Sequence, residues 1–145
     1  MGWLIVALGT VFLLIVGQIQ TRQQVETLRV QQAAGSTLLA RQMLVLAGAI
    51  NDWRWRHPMT DGTVPLPALA LPVMPDRRIR HVIAGNRLWV WMPEFPGLAE
   101  ALREQSGGSA LVGTVRQGQL VWLSGTVAGL PLPPGPENGD VVYLN

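Results

Sequence analysis

The chain has 145 residues, no cysteine, no lysine, and 11 basic against 9 acidic side chains for a formal charge of +2. This excludes a disulfide framework and thiolate chemistry. It also excludes a lysine-dependent phosphate loop, and it argues against a nucleic-acid binder, which would carry a clustered basic face.

Trp3 to Ile19 reads WLIVALGTVFLLIVGQI, with no charge and no proline, and turns abruptly polar at Gln20-Thr21-Arg22-Gln23-Gln24. A membrane-spanning helix needs ~20 apolar residues at ~1.5 Å each. Gly2 and Gln18 extend the run at its edges, and Trp3 suits a headgroup boundary. The pattern predicts a transmembrane anchor over residues 1–20, its apolar body made by Trp3, Leu4, Ile5, Val6, Phe12, Leu13, Leu14, Ile15 and Val16. No basic stretch precedes the run and no A-x-A site lies near Val16–Gln20, so an uncleaved anchor is expected over a removed signal. Arg22 and Arg29 lie after the span, and the positive-inside rule by itself points the C-terminal part of the chain toward the cytoplasm.

Residues 21–57 read as a long extramembrane helix. None of the 11 prolines precedes Pro58, and proline is what a helix interior excludes. Leu39, Met43, Leu46, Ile50 and Trp53 recur at steps of three and four, one apolar helical face for packing on a sheet. Val25 and Leu28 share that stripe, whereas Gln32 and Gly35 interrupt it. Ala33-Ala34-Gly35-Ser36 therefore predicts a bend or break, with Ser36 or Thr37 capping a new helix. In Trp53-Arg54-Trp55-Arg56 the two indoles lie ~200° apart around a helix, so Trp55 points away from the core stripe.

Residues 58–80 form a proline-rich linker in which Asp61-Gly62 is a turn signal and Pro65, Pro67, Pro72 and Pro75 forbid a regular helix. Its leucines suggest an extended segment lying on a core. At its end, Arg77-Arg78-Ile79-Arg80-His81 is the densest basic run, read as a solvated loop or as a docking site for an acidic partner or anionic headgroups.

Residues 81–145 switch to period two. His81–Ala84 and Arg87–Met92 flank Gly85-Asn86, a tight hairpin, with Leu88, Val90 and Met92 on one face and Trp89 and Trp91 on the other. A short helix starts at Pro96, carries Leu98, Ala101 and Leu102 on one side and stops at Gly107-Gly108. A second hairpin, Ala110–Val115 and Gln119–Leu123, turns at Arg116-Gln117-Gly118, and a last strand covers Val141–Leu144. The fold class is α+β: a transmembrane helix extending into a long amphipathic helix packed on a small antiparallel sheet with one short helix, the pilin-like architecture. Burial within the chain is the default for the Trp89/Trp91 face, against the helix, the linker or the short helix. An exposed tryptophan face would be an interface, so Trp55, Arg77, Arg78, Arg80, Trp89 and Trp91 are the candidate interaction residues.

No catalytic, cofactor or metal residues are expected. His57 and His81 lie in no ligand-spaced cluster, with His57 ending the helix before Pro58. Ser106, Ser109 and Ser124 have no nucleophile elbow around them, and Glu100 and Glu104 form a solvated helix face.

The short membrane segment, the proline-flanked linker before IRHVIAGNRLWVWMPEFPGLAEALREQSGGSALVGTVRQGQLV and the late LPPGPENGDVVYL resemble the PilM family of plasmid-type (type IVb, thin-pilus) systems, distinct from the actin-like protein of that name. The likeness is clearest from Leu71 to Leu144. It implies a structural, non-enzymatic component of a conjugative pilus basal apparatus in the bacterial inner membrane. It also implies a periplasmic sheet domain, which takes precedence over two arginines as a guide to orientation. The expected partners are the inner membrane and other pilus assembly proteins or pilin, with homo-oligomerisation a further option and no nucleic acid or small-molecule substrate. Pilins themselves carry a basic leader and a glutamate early in the apolar run, and neither is found here. The alternatives are a minor-pilin-like fibre subunit and a signal-cleaved periplasmic module binding glycan or peptide on the Trp89/Trp91 face.

Overall fold

In the computed structural model, which describes residues 2–109 and 111–145, a helix α1 (Gly2–Arg56) precedes a five-stranded antiparallel sheet and a second helix. The strands are β1 (Arg80–Ala84), β2 (Arg87–Met92), β3 (Val112–Arg116), β4 (Gln119–Trp122) and β5 (Val141–Leu144), with α2 (Leu98–Gln105) between β2 and β3. The expected α+β class is what the chain adopts. Its contacts divide it into two compact units, residues up to Ala34 and residues from Gly35 to Asn145.

The first unit is helical throughout its described residues and buries none of its apolar run within the chain. Trp3 is 73% exposed and Phe12 67%. It supplies one helix long and apolar enough to cross a membrane.

In the second unit the sheet order is β1-β2-β5-β3-β4, so the C-terminal strand lies between the two hairpins and joins them. Both hairpins close through two-residue turns with positive φ at each central position: Gly85 58° and Asn86 63° in the first, Gln117 50° and Gly118 72° in the second. That conformation matches the right-handed twist of the flanking strands. Arg116, expected in the turn, is the last residue of β3 and pairs with Gln119. Ala110, expected to open this strand, lies outside the described residues, and the strand starts at Val112. Each outer strand is covered over part of its open edge. Gly62 bridges Ile83 on β1 and Val127 bridges Val121 on β4, which blunts the tendency of open edges to pair with other chains.

Alternation along the strands produces two cores. Toward the helices, Ile83, Leu88, Val90, Met92, Val112 and Val141 meet Leu39, Met43, Leu46 and Ile50 of α1 and Leu98, Ala101 and Leu102 of α2. Trp53 packs at the edge of this core, half-buried, with its ring stacked on His57 at a centroid distance of 3.9 Å. The linker joins the same side, where Val64 and Leu69 are buried. On the opposite face, Trp89, Trp91, Val115, Leu120, Val142 and Leu144 form the second core.

What covers the second core is not among the coverings expected. Ala128, Leu130 and Leu132, from the loop between β4 and β5, pack on it. At Gly135, whose φ is 125°, a Cβ would stand 2.7 Å from Cζ2 of Trp91. The Pro/Gly loop can therefore descend onto the indole only because that position has no side chain. Among the described residues, none from a helix or from the proline-rich linker joins this cluster.

Ala33–Ser36 are helical, and no new helix starts at Ser36 or Thr37. Gly35 leaves room for the Phe95 ring, whose Cζ would be 3.0 Å from a Cβ at that position. Ser36 is buried against Gly97, the residue before α2, and does not cap a new helix. Propensity alone disfavours glycine and serine in a helix interior; here both make room for a tertiary contact. The short helix also begins later than expected, at Leu98, with Pro96 ahead of it.

Candidate interaction surfaces

Among the described residues no group of three or more His, Asp or Glu could hold a metal ion. The residues singled out from the sequence are those of a candidate interaction surface. Of the six residues singled out from sequence, Trp55 is 89% exposed, and Arg77, Arg78 and Arg80 are exposed at the end of the linker. Trp89 and Trp91 are not at the surface, being 2% and 5% exposed. As interaction residues they are corrected: the loop over the second core takes the place of a partner, and a glycan- or peptide-binding face made by them does not exist.

The basic run is less free than its composition suggests. Arg78 forms a two-pronged ion pair with Asp76, Nε to Oδ1 at 3.0 Å and Nη2 to Oδ2 at 3.0 Å, and its backbone N–H donates to Oδ1 at 2.9 Å. The side-chain bond from the Arg78 guanidinium is the main cause lowering the Asp76 pKa from 3.8 to about 2. Ile79 turns into the core. Arg77 and Arg80 are left as the outward charges.

At the C-terminal end of α1, Arg54 reaches the first hairpin. Its Nη2 donates to Asn86 Oδ1 at 2.9 Å and to the carbonyls of Asn86 and Met59 at 3.2 Å each. The Asn86 N–H in turn donates to the Thr60 carbonyl at 3.0 Å. Arg54 thus clamps helix, linker and hairpin tip together, while its neighbour Trp55 stays in solvent.

His81 fastens the linker to β1. Its Nε2 accepts the backbone N–H of Val64 at 3.0 Å, and the ring is about half-buried. Burial of the ring lowers its pKa below 6.5, and accepting the Val64 N–H requires the lone pair that protonation removes. The unfolded chain therefore takes up the proton first as pH falls. The stabilisation is fully present above the ordinary histidine pKa and is lost as pH drops through the lower folded value. His81→Gln, which can accept the same bond without titrating, should flatten the fall in melting temperature between neutral and mildly acidic pH. Parallel pH–Tm curves for the two proteins would show that another group controls the acid sensitivity.

One surface was not singled out from the sequence. A groove of about 260 Å³ runs between one side of α1 (Leu38, Arg41, Gln42, Val45) and the linker (Leu71, Pro72, Val73, Pro75). Leu38 is 57% exposed, Val45 40%, and Val73 and Met74 67% each. The linker wall is fixed in place, because the Asp76 backbone N–H donates to Gln42 Oε1 at 2.8 Å. The sequence signal was present in Leu38 and Val45, seven residues apart and off the core stripe, but only the path of the linker pairs them with Val73.

Comparison with known proteins gives a consistent answer. The family model PilM matches residues 11–144. Among solved structures, a crystal structure of PilM from Escherichia coli B7A is similar, with a TM-score of 0.68 and 34% identity over 79% of this chain and 94% of that one. A comparison with curated proteins finds no match.

Proposed function

The chain belongs to the PilM family of pilus-system proteins, and from that premise we propose that it is a structural component of the inner-membrane base of a conjugative, type IVb thin pilus. In this reading the apolar run of α1 is an uncleaved single-pass anchor, and the sheet domain is periplasmic and works by binding other pilus components. The observation that carries it is the uncharged Trp3–Ile19 segment of a family member, helical and with its apolar side chains unburied by the rest of the chain. Apolar side chains left in water on that scale are costly, and lipid removes the cost.

The test is an alkaline-phosphatase reporter fused after Asn145, combined with fractionation. The reporter should be active, the chain should resist alkaline extraction from membranes, and deletion of the gene should abolish pili. Activity of a cytosol-only reporter at the same position would overturn the orientation. Release of the chain by osmotic shock would overturn the anchor.

A further inference from the structure

We propose that the groove between α1 and the linker receives an amphipathic helix of a second pilus component, one that presents apolar side chains and a carboxylate aimed at Arg41. The inference rests on the proposed function and names the surface and the chemistry of the partner.

Four observations converge here. First, exposed large apolar side chains gather at one place: Leu38, Val45 and Val73 line the groove with Leu46 and Leu71. Contiguous exposed apolar area of this kind marks interaction sites. Second, the walls are already ordered. Pro72 and Pro75 restrict the linker backbone, and Gln42 holds Asp76, so little conformational entropy remains to be lost on docking.

Third, the groove offers an extended peptide few backbone donors to pair with. The N–H groups of α1 are engaged within the helix. Pro72 and Pro75 have none, that of Leu71 donates to the Leu69 carbonyl and that of Asp76 to Gln42, which leaves only those of Val73 and Met74 between the two prolines. An added strand would leave its own amides unpaired against an apolar wall, whereas a helix satisfies its backbone internally. The volume of about 260 Å³ falls below the ~300–1,000 Å³ of small-molecule sites and suits a pair of anchoring side chains.

Fourth, the charge at the groove is unbalanced. Arg41 lines it and makes no ion pair among the described residues, and no acidic side chain lines it. Asp76, the nearest acid in sequence to the linker wall, is already bound to Arg78. A partner carboxylate is the complement, and it would also fix the register of the docked helix.

The experiment places a photoreactive benzoyl-phenylalanine at position 73 of the full-length chain in cells assembling pili, with the same probe at the exposed Val127 as control. The expected result is one discrete adduct from position 73 and none like it from position 127. The crosslinked peptide should come from another pilus-system protein and form an amphipathic helix containing Asp or Glu. Arg41→Glu should weaken the adduct about tenfold or more, and exchanging the partner carboxylate for arginine should restore it. If Arg41→Glu disturbs folding, Arg41→Gln carries the same comparison. An adduct only with lipid, only with a second copy of this chain, or one indifferent to Arg41 would overturn the proposal. A missing adduct from a chain still membrane-bound and still required for pili would reject the groove alone. Loss of membrane attachment would instead reject the reading beneath it.

Discussion

Trp91→Ala should lower the free energy of unfolding by about 3–5 kcal/mol, whereas Trp55→Ala should change it by no more than about 0.5 kcal/mol. The two tryptophans were equal candidates in the sequence and occupy opposite environments in the fold. Trp91 is 5% exposed, lies on the second core face opposite Val142 of β5, and carries Gly135 on its ring. Removing its indole leaves a cavity between the sheet and the loop that covers it. Trp55 is 89% exposed and joins neither core. Pulse proteolysis of the detergent-solubilised chain over a urea series measures both variants without using tryptophan fluorescence. Equal, small effects would mean that the 123–140 loop does not cover the sheet, and the tryptophan face would again be open to a partner.

That contrast also marks where the sequence stopped being legible. Local periodicity located α1, both hairpins, α2 and the last strand, because strand alternation and helical spacing are properties of neighbouring residues. It also named Leu39, Met43, Leu46 and Ile50, which are buried together against the sheet. The position of β5 between the hairpins is a long-range choice that no local pattern encodes. The cover over Trp89 and Trp91 depends in turn on that choice, since the loop reaches the second face on its way to the central strand. Gly35 and Ser36 failed for a related reason: both look like helix breakers until Phe95 and Gly97 are seen against them. The basic run was legible as composition only. Its pairing through Asp76 turns on one local hydrogen-bonded turn, and the groove beside it on the course of a segment whose prolines suppress any periodic signal.

The proposed anchor can be tested by the cost of one charge. Val11 lies near the middle of Trp3–Ile19, and in the chain it is 54% exposed and belongs to neither core cluster. A carboxylate at the centre of a spanning helix costs about 2.5–3.5 kcal/mol, while each central Leu, Ile, Val or Phe contributes only ~0.3–0.6 kcal/mol to insertion. A run slightly short of the ~20 residues a bilayer asks for has little surplus to offset that. Val11→Asp should therefore move a large fraction of the chain from the carbonate-resistant pellet to the soluble fraction. Val11→Leu should stay in the pellet. Because Val11 touches neither core, the unfolding transition of the sheet domain should be the same in both variants. Retention of Val11→Asp in the membrane at the level of the parent chain would mean that something other than this helix holds it there. Escape together with an intact sheet domain would tie membrane attachment to the apolar run and to nothing else in the fold.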